Sequence, residues 1–405
     1  MGYGYHIFDS IDDLDFTAWE RLRSEAKASA FADPRFVGAV QASMNQNCRF
    51  QYVVVHDSSD RLVAFACLTL TTIDVADFAD DGVVKRIIQR MPAGLSRLRY
   101  LKIIICGLPI STGHCPLALA PQCDGPQVFA VLEKIIGELA TKTKANAIVY
   151  KEFEQADFSW TGPLLDLGYQ CSNTPPAYFL EAKFNDLADY CMALRSHYRK
   201  QIKRSIRKRE QAGVDIKVLT DAAEIVEAYT DEVHALYHQM REKAHVKYEA
   251  LSIDFLHELA RRMSGPIHLI VLARASKIVA FGWCLHGLNS YHMMYAGLDF
   301  SLDDDMDLYF NLHYAALDRA LRSGVSKIEL GVTADAFKAR LGCYAEPLHY
   351  FIKGVGPMMS LMVRCGSKVL LNRKPAVPSF DVFKAAGADD RSSSKPRSRA
   401  SSRAM

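Results

Sequence analysis

The longest run of residues suited to chemistry is basic. Arg195, Arg199, Lys200, Lys203, Arg204, Arg207, Lys208 and Arg209 stand within a stretch, Asn185 to Ala212, that is helical by composition. Leu194, Tyr198, Ile202 and Ile206 recur every four residues and give that helix a buried stripe. The cations then form either a solvated face or a phosphate-binding surface for a cofactor, a tRNA, a carrier protein or an anionic substrate. A second group is acidic. Asp303, Asp304, Asp305 and Asp307 precede an apolar helical pattern from Leu308 to Arg322, where carboxylates cap a helix start and complement its dipole. Histidines make a third group: His286, His292 and His349 lie in apolar strand-like segments. An imidazole titrates near neutrality and is a base for an amine, but in such a strand it is equally at home as a satisfied core residue. The ten cysteines are scattered, with no Cys-x-x-Cys and no paired Cys/His cluster. No metal centre is therefore expected, zinc included, and reduced thiols in a cytoplasm are the default.

The elements that must position these groups repeat. Tyr291 to Asp299 reads as a strand, Leu308 to Arg322 as a helix and Ser326 to Val332 as a strand. Ala334 to Leu341 follows as a short helix stopped by Gly342, and Leu348 to Ile352 as a last strand. This βαβαβ order must bury both faces of its sheet. Earlier in the chain the order recurs as helix Gln127 to Lys142, strand Ala147 to Tyr150, short helix Pro163 to Gly168 and strand Ala177 to Ala182. The short helices end alike, Leu164-Leu-Asp-Leu-Gly-Tyr169 against Lys338-Ala-Arg-Leu-Gly-Cys343, and Leu62 to Cys67 matches Ile278 to Trp283. An internal duplication accounts for four elements in matching order. The segment Asp74 to Leu119, with a helix at Val83 to Met91 and a strand at Leu101 to Cys106, has no counterpart in this reading.

At 405 residues, 49% hydrophobic, 23% charged and a net charge of +3, the chain has the make-up of two globular domains rather than of a polyelectrolyte binder. No apolar run approaches the roughly 20 residues of a membrane span, and the first residues lack a signal-peptide pattern. The expected fold class is α/β with mixed α+β sheets. Two tandem domains, 1–182 and 183–372, each carry a mixed sheet flanked by helices. The remainder, 373–405, is rich in Ser, Arg, Lys and Pro and is expected to be disordered.

This order of elements resembles the GCN5-related N-acetyltransferase (GNAT) superfamily, in its tandem, FemAB-like branch. The resemblance covers residues from about 5 to 355 and includes the basic helix between the copies. It implies an N-acyltransferase that moves an acyl or aminoacyl group from a thioester or ester carrier to a small-molecule amine, with the second copy catalytic and the first degenerate. Two alternatives accompany it. One is a Fem-type aminoacyl-tRNA-dependent transferase, with Arg199, Lys203, Arg204 and Arg207 on the donor. The other is a non-catalytic nucleic-acid or protein-binding module. In the resembled fold the fourth strand parts from the fifth and its backbone binds the donor, which implies Tyr295, Gly297 and Asp299 at the cleft. Asn311 then orients the donor or caps its helix, and Glu329 or His349 serves as base. Two departures stand out. The loop that cradles the pyrophosphate of acyl-CoA is replaced by the Asp303 to Asp307 cluster, so the donor is acyl-CoA held by other cations, an acyl carrier protein or an aminoacyl-tRNA. Many members also place a proton-donating Tyr four residues before the Gly closing the short helix. Lys338 stands there, as hydrogen-bond donor, oxyanion stabiliser or surface lysine, with Tyr344 as the other proton donor.

Overall fold

The computed structural model describes residues 2–78, 86, 89–90, 99–243, 250–332, 334–370 and 378–384. The expected helix at Val83 to Met91 lies largely outside them. The earlier half supplies β1 (Gly4–Phe8), β2 (Arg49–His56), β3 (Leu62–Asp74), β4 (Tyr100–Cys106), β5 (Leu117–Leu119), β6 (Ala147–Phe153), β7 (Gln170–Asn173) and β8 (Ala177–Glu181). The later half supplies β9 (Val214–Leu219), β10 (Ile267–Arg274), β11 (Lys277–His286), β12 (Ser290–Leu298), β13 (Lys327–Glu329), β14 (Tyr344–Glu346) and β15 (His349–Gly354). Five helices matter below: α1 (Ser196–Gln211), α2 (Asp231–Lys243), α3 (Phe300–Met306), α4 (Leu308–Arg322) and α5 (Asp335–Arg340).

Local chemistry explains the strand pairs. β10 turns into β11 through Ala275 and Ser276, both in the left-handed region at φ 47° and 67°, a two-residue turn whose twist matches an antiparallel hairpin. β12 and β13 are parallel and therefore need a crossover, which α4 provides. The first sheet runs β1-β2-β3-β4-β6-β15-β7, with β5 on β3, and the second β9-β10-β11-β12-β13-β8-β14. Position by position the two orders coincide, including a parallel pair at the same place (β4 with β6, β12 with β13). Duplication is thus visible in the topology. The strand Leu101 to Cys106, read above as part of an unmatched segment, takes the place in its sheet that β12 takes in the other.

A second expectation changes more. Ala177 to Ala182 and Leu348 to Ile352 do not close the sheets of their own halves. β8 lies between β13 and β14 in the second sheet, and β15 lies between β6 and β7 in the first. Pro175 and Pro176 carry the chain straight on after β7, where a tight reversal would have been needed to pair at home. The two crossing segments meet, Thr174 N–H donating to the Leu348 carbonyl at 2.8 Å. One continuous core runs across both halves, packing Trp19, Phe36 and Phe65 with Phe255, Phe281 and Trp283.

Part of the stretch expected to be disordered is packed. In residues 378–384 Val382 is buried, Arg195 N–H donates to its carbonyl at 3.0 Å, and Lys384 N–H donates to Ala193 at 3.0 Å. Phe383 lies over Gly342, where a Cβ would come within 2.4 Å of its ring, and stacks on Phe184. Composition hid the apolar residues Phe380, Val382 and Phe383 among polar neighbours. Among the described residues no helix is long and apolar enough to cross a membrane.

Candidate active site

Pairing between β12 and β13 covers only Ser290–His292 against Lys327–Glu329, after which the two strands part. Because side chains alternate along a strand, Ser290, His292, Lys327 and Glu329 share one face, while Tyr291 and Ile328 enter the core on the other. The first half covers that polar face with the loop after β4. Glu152, held at φ 68°, an uncommon conformation for a residue with a side chain, accepts the N–H groups of Thr112 (3.2 Å) and Gly113 (3.1 Å) with Oε2. Gly113 itself has φ +80°, and a Cβ there would lie 2.9 Å from Glu329 Oε1, so only glycine lets the loop come this close.

The loop delivers His114. Its Nε2 lies 2.7 Å from Glu329 Oε2, and His292 Nδ1 lies 2.8 Å from the same oxygen. His292 Nε2 is 2.7 Å from Ser290 Oγ. His114 Nδ1 faces Glu154 at 3.9 Å, and Glu154 in turn accepts from Lys327 Nζ at 2.6 Å. Phe31 stacks on His114 and meets His292 edge-on, walling the cluster from one side. Burial alone would raise the Glu329 carboxyl, but the two imidazoles hold it well below the usual carboxylate range. Burial pulls both histidines down. For His114 the charges of Glu329 and Glu154 outweigh it and lift the ring above its ordinary value, whereas His292 stays below. One donor atom from each of His114, His292 and Glu329 falls within 4.8 Å of the others, a set able to hold a metal ion.

Lys338 lies where the strands separate. A Cβ on Gly331, just past β13, would sit 3.7 Å from Lys338 Nζ and 3.6 Å from the Met293 carbonyl of β12. The lysine is 1% exposed, and its Nζ is 5.7 Å from the centre of the Tyr178 ring on β8. Burial brings its pKa down to about 8, against a partial lift from Cys343, Glu329 and Asp335. Beside it His313 of α4, bonded to the Tyr309 carbonyl at 2.9 Å, is pushed to about 3 by burial and by the Lys338 charge.

The other sequence candidates have surroundings of their own, and of them Tyr344 is near enough to Lys327 and Glu154 to feel their charges. His349 Nε2 is 3.1 Å from Gln155 Oε1, and burial lowers its pKa. Tyr344 is 42% exposed on β14, its ring 5.8 Å from Phe179. Tyr295 is half-buried on β12 and packs against the continuous core. Asp299 caps α3 by accepting Ser301 N–H at 3.0 Å. Asn311 Nδ2 donates to Ser205 Oγ and its carbonyl at 3.2 Å, which pins α4 to the basic helix. Gly297 faces α2, where a Cβ would come within 2.7 Å of the Leu236 and Tyr237 backbone. Gly297→Ala is accordingly expected to cost about 1–3 kcal/mol in urea denaturation, through overpacking of α2. On α1, Lys203, Arg204 and Arg207 are exposed and Arg199 is half-buried. Asp303 accepts the Tyr309 N–H at 2.9 Å and so occupies the start of α4, while Lys208 Nζ donates to Asp307 at 2.7 Å. Of the aspartates, Asp303 caps the helix with its side chain as the position suggested, whereas Asp307 stands at the N-cap without a side-chain cap bond.

Sequence reasoning did not find His114, Glu154, Ser290 or Lys327, and gave His292 no preference over a core role. The one available signal was the Thr112-Gly113-His114 turn, with a glycine poised for close approach.

A family model described as peptidoglycan biosynthesis/recognition, FemAB-like, matches residues 10–353. The chain belongs to the FemAB-like family. It is an acyltransferase, passing an acyl or aminoacyl group from an activated carrier to an amine. No curated protein matches it by sequence. Among solved structures it is similar to FemX at 9% identity and a TM-score of 0.56, over 90% of this chain and 100% of that one. The C-terminal domain of a putative lysylphosphatidylglycerol synthetase from Agrobacterium fabrum aligns at 12% identity and 0.52, over 89% and 98%. A tandem GNAT protein from the clavulanic acid biosynthesis pathway aligns at 13% and 0.51, over 88% and 99%. At these identities the likeness is one of fold, two mixed sheets in tandem.

Proposed function

We propose that this FemAB-like protein takes its acyl group from an aminoacyl-tRNA and transfers it to an amine where β12 and β13 part. The observation that carries the choice of donor is the Asp303 carboxylate on the Tyr309 N–H. A pyrophosphate bound in the usual acyl-CoA manner needs free N–H groups at that helix start and would meet carboxylates there. A tRNA brings its phosphates elsewhere, and the exposed Lys203, Arg204 and Arg207 of α1 offer a matching strip of charge.

The chemistry asks little of the protein. The donor carbonyl lies at the split between the strands, the amine approaches from the polar face of Ser290, His292, Lys327 and Glu329, and the bond forms between them. Lys338, protonated, donates to the carbonyl oxygen as negative charge builds on it and passes its proton to the leaving ribose oxygen, and the proton shed by the attacking amine returns to Lys338. Tyr178 and Gly331 hold space around that amine.

Binding of total tRNA, followed by fluorescence anisotropy over a salt series, tests the donor. Replacing Lys203, Arg204 and Arg207 together by Ala is expected to flatten the log–log salt slope by roughly 2–3 and to weaken binding on the order of a hundredfold at low salt. Turnover with acyl-CoA, combined with no tRNA binding by the wild type, would sink this choice.

A further inference from the structure

We propose that His114, His292 and Glu329 form a binding site for a divalent first-row transition-metal ion of the zinc class, closing the acceptor side of the cleft. The inference rests on acyl transfer at the β12–β13 split and adds what stands opposite Lys338. The donor set is two imidazoles and a carboxylate drawn from three separate segments, with one atom of each within 4.8 Å of the others. Two nitrogens and one carboxylate oxygen suit zinc better than magnesium or calcium, which prefer all-oxygen shells.

What separates this arrangement from an accidental cluster is the ring of groups around it. A ligating imidazole needs its other nitrogen held, so that the right lone pair faces the ion. His292, ligating through Nδ1, has Nε2 on Ser290 Oγ at 2.7 Å. His114, ligating through Nε2, has Nδ1 3.9 Å from Glu154, beyond a direct hydrogen bond, and it is the charge of Glu154, anchored by Lys327 at 2.6 Å, that favours a proton on that nitrogen. All three ligands are shielded: His292 and Glu329 are buried, and Phe31 covers both rings. Gly113 permits the approach of the loop that brings His114 to Glu329. Three protein ligands leave a tetrahedral ion one further position, open to water or to a donor atom of the acceptor. An ion here also ties the first half of the chain to the second across the cleft, through His114 and Glu329, which are 215 residues apart.

The test counts ions and needs neither donor nor acceptor. The full-length chain is stripped with chelator, dialysed and titrated with Co²⁺, followed by visible absorption, and in parallel equilibrated with Zn²⁺ for elemental analysis. The expected result is one ion per chain, visible ligand-field bands, and a thermal midpoint raised by Zn²⁺. His114→Ala, on a loop, is expected to abolish all three while keeping the circular dichroism of the wild type. Ser290→Ala keeps the ligands and is expected to bind Co²⁺ about tenfold more weakly. Wild-type protein that takes up no ion, or His114→Ala that takes up as much as wild type, overturns the site. Protein that takes up no ion yet binds tRNA with the expected salt slope would remove the metal alone. Loaded protein that ignores tRNA would remove the donor assignment alone.

Discussion

Lys338→Met is expected to yield a protein that is more stable at pH 7 and almost inactive. The Lys338 amine is buried, and that burial brings its pKa from 10.5 down to about 8 on folding. A folded value below the unfolded one means that burying the charged form costs stability. The cost is full below pH 8 and shrinks as pH rises toward 10.5, because over that window the unfolded chain holds the proton that the folded chain has released. The interval corresponds to about 3 kcal/mol. Methionine keeps the aliphatic volume and removes the charge, so denaturation midpoints of the variant should exceed those of the wild type at pH 7 and converge on them near pH 10. Turnover should fall on the order of 10²–10³-fold, as when a group stabilising a developing oxyanion is removed. In the wild type the rate should decline as pH rises through about 8, where Lys338 loses its proton. A variant that transfers at the wild-type rate would take Lys338 out of the chemistry, whatever its stability.

Glu329→Gln should do the opposite to stability. One oxygen of this buried carboxylate serves two imidazoles, and the charge holds His114 above its ordinary value against burial. A neutral amide must turn its NH₂ toward one of the rings or leave one unsatisfied, and breaking a buried charged network from one side costs ~3–5 kcal/mol. Glu329 also lifts Lys338, so the falling limb of the rate profile should move to lower pH in the variant. Urea denaturation and the pH–rate profile read the two effects separately. A stability change near zero would mean that the carboxylate does not organise the two histidines.

Much of the architecture could be read from the chain because it is locally encoded. Apolar runs such as Tyr52 to His56 and Leu269 to Leu285 become strands through their β-branched and aromatic composition, and the matched Leu-Gly endings mark the short helices, Gly168 and Gly342 both taking positive φ at 87° and 76°. The partners of the strands are another matter. β8 and β15 look alike in composition, and which sheet each joins is settled by the Pro175-Pro176 segment and by competition between two similar edges, neither of which has a periodicity. The candidate site divides along the same line. Glu329 and Lys338 were visible as residue types on neighbouring elements. The direction of Glu329 was not, because the face opposite Ile328 is buried as well, covered by a loop far away in sequence. His114 sits in that loop, in a segment that the repeat pattern passed over. Gly297, Asp299 and Asn311 were placed by analogy with a strand and helix of the resembled fold, and in this chain they meet α2, the start of α3 and the basic helix.

Exchange of β8 and β15 makes the two halves a single mechanical unit. Pulling them apart would strip the second strand from the edge out of each sheet, with its ladders on both sides, rather than slide one surface over another. The cleft between them therefore has a set width: acceptors are admitted by size and by the movement of loops, not by a hinge. It also follows that a chain severed between β8 and the basic helix would give two fragments, each carrying a strand that belongs in the other.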